Sequence, residues 1–261
     1  MKLSGSRILL TGATGGLGEG LARALRAHGA ELILTGRRVN VLESLAVEID
    51  AASIAADLSN PADLTRLLDE AGPIDILINN AALPAVGSVV DFTEGEISRA
   101  VDVNLVAPIL LSRGVTPQFV ERGSGHIVLI GSTAGRTASK GSSMYNATKF
   151  GLRGFALAHR QDLNGTGVGV SIVEPTFVSD AGMYADSGVE LPRGVRTVSP
   201  DDVSKAVIRS IEKNIGEIVV APLEQRVLAS LALVAPAVDA RLQQAFGVDA
   251  VFASHSGVTK R

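Results

Sequence analysis

TGATGGLG, residues 11–18, lies between the apolar run Arg7–Leu10 and Leu17–Ala27, a stretch with helical periodicity. Glycine has no Cβ, so a glycine-rich turn lets the backbone approach a ligand closely where a strand becomes a helix. The N–H groups at the start of that helix favour a bound pyrophosphate. A glycine-rich run alone predicts only a tight turn, but between a strand and a helix it predicts a dinucleotide-binding turn. The candidate phosphate-binding residues are Gly12, Thr14, Gly15, Gly16, Leu17 and Gly18.

Short apolar runs alternate with helical patterns outward from this turn. The runs are Arg7–Leu10, Leu32–Thr35, Ser53–Ala56, Ile74–Ile78, His126–Ile130, Val168–Val173 and Ile218–Val220, and helical patterns between them include Val41–Ile49, Ala62–Ala71 and Ser143–Leu163. The runs are continuously apolar, which favours parallel strands covered by helices on both faces. We therefore predict an α/β fold with a doubly wound parallel sheet of about seven strands, a Rossmann fold. No linker or repeat divides the chain, so residues 1–261 are interpreted as one domain.

Two segments interrupt the alternation. Residues 176–199 form a long connection rich in Gly, Ser, Asp and Pro, which is typical of a lid or substrate-binding loop. Residues 223–246 form an apolar helical extension. Packing on the core or in a subunit interface is the favoured interpretation of this extension. A wall for an apolar substrate, or a surface that touches a membrane, is the alternative.

The composition excludes several kinds of chemistry. The chain has 261 residues, 24 basic and 27 acidic side chains, no cysteine and four histidines. A net charge of −3 does not favour nucleic acid as a partner, and the absence of cysteine excludes disulfides, thiolate nucleophiles and zinc fingers. The histidines are scattered, so no metal site is expected. The longest apolar stretch, Val227–Val238, is too short for a transmembrane helix, and we expect a cytoplasmic protein.

The residues that follow the second run indicate which dinucleotide is bound. Folds that prefer NAD place an acidic side chain here to bind the ribose hydroxyls. This chain has Gly36-Arg37-Arg38 instead. A guanidinium can pair with a 2′-phosphate, which predicts NADP(H) over NAD(H), with Arg37 the better candidate. Two exposed arginines at the start of a helix are the simpler alternative.

Polar residues also end the third and fourth runs, where open α/β sheets bind ligands. Asp57 is positioned to accept a hydrogen bond from an adenine amino group, and Leu58 to cover the ring. Asn79 and Ala81 end the fourth run. Taken singly, each of these residues is equally typical of a helix cap or a turn.

Tyr145 and Lys149 are four residues apart in the pattern Ser143–Leu163 and therefore share one helix face. A free phenol has a pKa near ~10, and a nearby ammonium lowers it toward the range useful for proton transfer. Ser132 ends the fifth run, where its hydroxyl can meet the same substrate oxygen. The pair alone is typical of any surface helix, but its combination with Ser132 and the glycine-rich turn is specific.

With these motifs in place, the chain resembles the short-chain dehydrogenase/reductase family over about its first 220 residues. The residues that carry the resemblance are Thr11–Gly18, Asn79–Ala82, Asn104, Ser132, Tyr145–Lys149 and Pro175. It implies hydride transfer between a nicotinamide and a carbonyl or secondary alcohol. Tyr145 would be the acid/base, Ser132 would polarise the substrate oxygen, and Lys149 would bind the ribose and lower the pKa of Tyr145. Asn104 would hold a helix kink and a water.

The chain departs from the family pattern in two places. Ala82 replaces a common glycine, which is a mild change. Asp180 stands where a threonine commonly binds the cofactor, and a carboxylate beside phosphates is unfavourable unless it points away. Pro175 and the backbone of Val178 remain candidates for contact with the carboxamide of the cofactor.

Other readings of function stay open at this point. A catalytically silent NADP(H)-binding sensor is the main alternative, and a nucleotide-sugar epimerase is disfavoured because too few residues follow Lys149. Apolar residues predict a medium-sized, mainly apolar ketone or alcohol as the small-molecule substrate; they are Leu83, Pro84, Phe177, Met183, Tyr184, Val189 and Leu191. The resemblance also implies a homodimer or homotetramer formed through helices around Ala100–Val120 and Ser143–Leu163.

Overall fold

A computed structural model describes residues 1–180, 182, 191–192 and 194–247. Within them the chain forms seven strands: β1 (Arg7–Thr11), β2 (Glu31–Gly36), β3 (Ala52–Ala55), β4 (Ile76–Asn79), β5 (Gly125–Ile130), β6 (Val168–Pro175) and β7 (Glu217–Val220). The helices are α1 (Gly16–Ala27), α2 (Val39–Glu48), α3 (Pro61–Ala71), α4 (Glu94–Val101), α5 (Ala107–Arg122), α6 (Ser143–Asp162), α7 (Pro200–Glu212), α8 (Leu223–Val234) and α9 (Pro236–Ala245). None of these helices is long and apolar enough to cross a membrane.

The seven strands pair in parallel, in the order β3-β2-β1-β4-β5-β6-β7. The predicted doubly wound sheet is therefore confirmed. The chain leaves β1 toward one edge of the sheet and later returns to β4, on the other side of β1. Such a reversal opens a crevice at the carboxyl ends of the strands, and that is where the predicted motifs lie.

Two apolar layers cover the sheet because successive strand side chains point to opposite faces. On one face Ile8 and Leu10 pack with α1, α2 and α7. On the other face Leu9 packs with α3, α5 and α6. Both layers are fully removed from water at their centres, so the helices hold the strand ends in fixed positions.

The C-terminal extension forms two helices. Residues 223–246 are interrupted at Ala235, because Pro236 cannot donate the backbone hydrogen bond that would continue α8. Leu223, Val227 and Val234 on α8 are exposed, whereas Ala229 and Ala232 are buried. The extension therefore packs on the rest of the protein along one face.

Candidate active site

The glycine-rich turn is packed tightly enough to require glycine at two positions. Gly12 has a φ of +66°, and a Cβ there would lie 2.7 Å from the Cα of Ala81. A Cβ on Gly18 would collide with the carbonyl oxygen of Gly12. No side chain caps α1 at Gly15, so the first amides of the helix stay available to an anion.

Hydrogen bonds join the end of β1 to the end of β4. The Thr11 hydroxyl accepts from the amides of Asn80 and Ala81 at 3.0 and 3.1 Å, and the Asn80 side chain donates to the carbonyls of Thr11 and Gly12. The neighbouring Asn79 side chain is buried, yet neither polar atom of its amide has a hydrogen-bond partner among the described residues. A buried amide without partners is costly and is consistent with a polar ligand at this edge.

Arg37 and Arg38 follow β2, beside the turn. The Arg38 guanidinium donates to the carbonyl oxygen of Thr14, while Arg37 is exposed. Gly36 adjoins the Thr14 side chain, since a Cβ there would lie 3.0 Å from it. The structure thus brings Arg38 to the predicted phosphate site, and Arg37 is its exposed neighbour in the chain.

Asp57 lies at the same edge, but another residue of the chain engages its carboxylate. Arg99 on α4 forms an ion pair with it at 2.9 Å, and the Ser59 hydroxyl donates to it at 2.8 Å. Burial alone would raise the pKa of Asp57, but these hydrogen bonds outweigh it and hold the pKa at about 2. Leu58 is buried beside it. The adenine contact of Asp57 stays a prediction.

Ser132, Tyr145 and Lys149 converge beside the end of β5. The Ser132 side chain interacts with the Tyr145 phenol and favours its ionised form. The Lys149 ammonium lies 5.6 Å from the centre of the Tyr145 ring and donates to the carbonyl of Ile130 at 2.9 Å. Lys149 is almost entirely buried, at 3% exposure. The fold therefore brings the three predicted side chains into one cluster.

The pKa of Tyr145 differs from the sequence-based expectation. Burial raises it to about 12, and the interaction with Ser132 opposes this increase only in part. Burial also lowers the pKa of Lys149 to about 8, against the opposing charge of Glu174. The net shift is therefore opposite to the predicted lowering, because loss of hydration outweighs the influences that favour the phenolate.

Asn104 lies in a π-helical segment, Asp102–Val106, between α4 and α5. Its side-chain oxygen accepts from the Leu83 amide at 2.6 Å, and its nitrogen donates to the Leu83 carbonyl at 2.9 Å. The same nitrogen lies 3.4 Å from the Thr148 hydroxyl on α6. Asn104 thus connects this irregular helical segment to the residues after β4 and to the helix that carries Tyr145.

Asn146 also organises the site, which the sequence analysis did not predict. Its side-chain nitrogen donates to the carbonyls of Ala134 and Thr137, and its oxygen accepts from the Ser139 amide. The loop between Ser132 and Tyr145 is therefore held from inside by α6. The sequence feature that could have indicated this role is the position of Asn146 directly after Tyr145.

Four charged residues behind Lys149 were also missed. Arg136 and Arg153 pair with Glu174 and Glu217, and Glu174 is fully buried. A single glutamate at the end of the apolar strand β6 was the sequence signal for such a pairing.

The start of segment 176–199 reaches the same edge. Phe177 and Ser179 hydrogen bond with Val198 through their backbones, which leaves the amide and carbonyl of Val178 outside this bridge. Asp180 is exposed and has a φ of +61°, in the left-handed region that Asp tolerates. Pro175 ends β6. Met183, Tyr184 and Val189 lie outside the described residues.

Comparisons with known proteins match this arrangement. The family model for short chain dehydrogenases matches residues 6–190. A ketoacyl reductase, HetN, from Nostoc sp. is 37% identical over 227 residues, covering 84% of this chain and 79% of its own. The NADP-dependent 3-hydroxy acid dehydrogenase YdfG from Escherichia coli is 39% identical over 218 residues, covering 77% of this chain and 86% of its own.

A solved structure agrees with the fold over nearly the whole length. A short-chain dehydrogenase from Sphingobium yanoikuyae in complex with NADPH superposes with a TM-score of 0.76 at 29% identity, covering 94% of this chain and 96% of the other. The family match spans well over half of the chain, and it includes the turn, Ser132, Tyr145 and Lys149. The chain therefore belongs to the short chain dehydrogenase family and is an oxidoreductase of that family.

Proposed function

We propose that the protein interconverts a carbonyl and a secondary alcohol with NADP(H), using Tyr145 as the acid/base. The observation that carries this proposal is the cluster in which Ser132 acts on the Tyr145 phenol and the Lys149 ammonium lies 5.6 Å from the Tyr145 ring. The cluster lies at the sheet edge that also carries the glycine-rich turn. A silent cofactor-binding protein would have no need to retain all of these groups together.

The chemistry assigned to the protein is proton transfer and orientation. Ser132 donates a hydrogen bond to the substrate oxygen and fixes it beside the phenol. With its pKa raised to about 12, Tyr145 holds its proton at neutral pH and can donate it as negative charge develops on a carbonyl oxygen. In the opposite direction the same phenol must be ionised, and the Lys149 ammonium favours that form.

The residues at the sheet edge fit a nicotinamide dinucleotide. The turn of Gly12 and Gly18 has no room for side chains but offers amides at the start of α1, and Asn79 presents a buried amide that has no partner in the part of the chain that the structure describes. Gly15, Gly16 and Leu17 would hold the pyrophosphate, and the backbone of Val178 would meet the carboxamide. When bound, this cofactor supplies or accepts the hydride.

Arg37 and Arg38 support the choice of NADP(H). Both follow β2, and Arg38 contacts Thr14 in the turn that is predicted to bind phosphate. No acidic residue lies between the end of β2 and Asn40 to bind a free 2′-hydroxyl instead. The NADP-dependent relative and the NADPH-bound neighbour agree with this choice.

For the substrate we propose a mainly apolar ketone or alcohol, such as an acyl-chain compound. Leu83 and Pro84 are partly exposed and directly precede Ala85, whose carbonyl binds the Tyr145 amide at 3.1 Å. Apolar side chains therefore lie next to the catalytic pair. The ketoacyl and 3-hydroxy acid names of the two relatives point to the same class.

NADPH oxidation with a panel of carbonyl compounds tests both parts of the proposal. We expect turnover of apolar ketones and about a thousandfold or greater loss in Tyr145→Phe, since general acid catalysis is removed. Tyr145→Phe should still bind NADPH, as measured by cofactor fluorescence. Binding of NADPH without turnover of any substrate by the wild type would support the silent sensor instead. Activity confined to small polar sugars would contradict the substrate class.

A further inference from the structure

Glu174 is a buried carboxylate directly behind the active site. Its side chain has 0% exposure, and one oxygen accepts from the Arg136 Nε at 2.6 Å. The other oxygen, Oε1, lies 3.7 Å from the Arg153 Nε and has no hydrogen-bond partner among the described residues. The residue therefore lacks the full set of hydrogen bonds that a buried carboxylate normally has.

The two arginines are shared with a second carboxylate that is closer to solvent. Glu217 on β7 lies 2.6 Å from Arg136 and 2.7 Å from Arg153, and its side chain is 26% exposed. Two cations and two anions thus form a neutral group, with Glu174 on its inner side. The charge of Glu174 is also the one that acts on Lys149.

Glu174 contacts both ends of the segment that carries Ser132. A Cβ on Gly131 would lie 3.0 Å from the Cγ of Glu174. A Cβ on Gly135 would lie 2.8 Å from the Lys149 carbonyl and 3.6 Å from the Glu174 Oε1. Glycine at these positions lets the segment that carries Ser132 pack against Glu174 and, at Gly135, also against the backbone of Lys149.

Stability alone does not account for this arrangement. Removing a carboxylate from water is costly, and a buried ion pair is often no better for stability than apolar residues of the same volume. An incompletely hydrogen-bonded Glu174 increases that cost. The one cation near it that lacks another carboxylate partner in the described residues is Lys149, whose charge the proposed reaction requires.

We propose that Glu174 is a positioning residue that acts through Lys149, supplying from behind the sheet edge the negative charge that keeps Lys149 an ammonium. The inference rests on the proposed function, because that function gives Lys149 its role. Tyr145 lies beside Lys149 on the same helix, and the charge of Glu174 acts on Lys149 from β6. Arg136 and Arg153 pair with Glu174, and Glu217 on β7 pairs with both arginines.

The effect of Glu174 on Lys149 makes this assignment testable. Burial lowers the pKa of Lys149, and the negative charge of Glu174 opposes this change. An ionised Glu174 therefore holds the Lys149 proton to a higher pH. Without Glu174, Lys149 would become neutral at a lower pH.

The experiment measures the pH dependence of kcat/KM and of NADPH affinity in Glu174→Gln. We expect the alkaline limb of both profiles to move down by about one pH unit. Glu217→Gln is the matched control, because it removes the other negative charge that pairs with the same two arginines. The charge of Glu217 raises the pKa of Glu174, so this control should leave the limb in place or move it upward.

Glu174→Asp retains the charge and should keep the alkaline limb near its wild-type position, which also tests the proposal if Glu174→Gln does not fold. Three results would each overturn the proposal. They are an unchanged alkaline limb in Glu174→Gln, an equal downward shift of the limb in both glutamine variants, and a fall of the limb by one pH unit in Glu174→Asp. Failure of the proposed function is distinguishable: turnover would then be absent in the wild type, while the NADPH-affinity profile would still report on Glu174.

Discussion

Arg37 and Arg38 are adjacent in the chain but have different surroundings. Arg38 is tied to the Thr14 carbonyl in the phosphate-binding turn, whereas Arg37 extends into solvent. The sequence could not separate their roles, since both are basic residues at the same strand end. The contact with Thr14 gives Arg38 a part in shaping the turn and leaves Arg37 as the candidate for the 2′-phosphate.

Replacing each arginine by alanine should therefore affect the two cofactors differently. Arg37→Ala should weaken NADPH binding about 10- to 100-fold, the value of a lost charge-assisted pair, with little effect on NADH. Arg38→Ala should weaken both, because it releases the turn that holds the pyrophosphate. Fluorescence titration of each variant with both cofactors measures this. Equal losses of NADPH and NADH affinity in Arg37→Ala would contradict the assignment.

The position of Tyr145 follows from local sequence, whereas its pKa depends on its environment in the fold. The spacing to Lys149 predicts a shared helix face, and the two side chains do lie together. The direction of the Tyr145 pKa shift was wrong, because burial depends on the packing of distant segments around the phenol.

At the scale of elements, the C-terminal helices contact two loops that adjoin the proposed active site. Gln225 on α8 accepts from the Thr176 hydroxyl and donates to the Arg196 carbonyl, near the two ends of segment 176–199. Gln243 on α9 accepts from the Ser139 hydroxyl at 2.8 Å and donates to the Ala138 carbonyl at 3.1 Å. The helical extension thus supports the loop that precedes Tyr145, in a region beyond the family match.

Gln243→Ala should loosen this loop. The variant loses the bonds to Ala138 and Ser139 and leaves the buried Asp239 without its 2.6 Å partner. We expect a loss of about 1–3 kcal/mol in the free energy of unfolding. Urea denaturation and hydrogen exchange at residues 138–139 measure the effect.

Gln244→Ala is the matched control, because Gln244 is exposed on the same helix. It should change the free energy of unfolding by less than about 0.5 kcal/mol. Equal effects of the two substitutions would show that α9 does not hold the loop through Gln243.

At the scale of the whole molecule, the two ends of the sheet differ in their buried ionisable groups. The carboxyl end carries Glu174 and Lys149, and the opposite end carries His126 at the start of β5. His126 is 2% exposed and hydrogen bonds to the Ser171 hydroxyl at 2.8 Å. Burial lowers its pKa to about 3, so the folded protein holds it neutral.

This pKa makes the free energy of unfolding depend on pH. The unfolded state takes up a proton on His126 below about pH 6.5 and the folded state only near pH 3, so its contribution to stability falls as the pH falls through this window. Glu174, with its raised pKa, has the opposite slope between about pH 4.5 and 7. The two effects partly cancel in the wild type.

A comparison of urea unfolding between His126→Gln and the wild type isolates the contribution of His126 to the pH dependence of stability. The stability difference between the two should shift in favour of the variant by up to about 1.4 kcal/mol for each pH unit from 6 to 4. His28→Gln, at an exposed position, is the control for replacing a histidine by glutamine elsewhere in the chain. A pH-independent difference for His126→Gln would show that His126 is not held neutral.

Local patterns in the chain were enough to predict the sheet, the glycine-rich turn and the cluster of Ser132, Tyr145 and Lys149. Apolar periodicity, a missing Cβ and an i,i+4 spacing act over a few residues, so they can be recognised without the fold. The contacts of Glu174 with Arg136, of Arg153 with Glu217 and of Gln243 with Ser139 span 38, 64 and 104 residues. Only tertiary packing brings such residues together, and the burial it imposes sets the pKa values of Tyr145, Lys149 and Glu174.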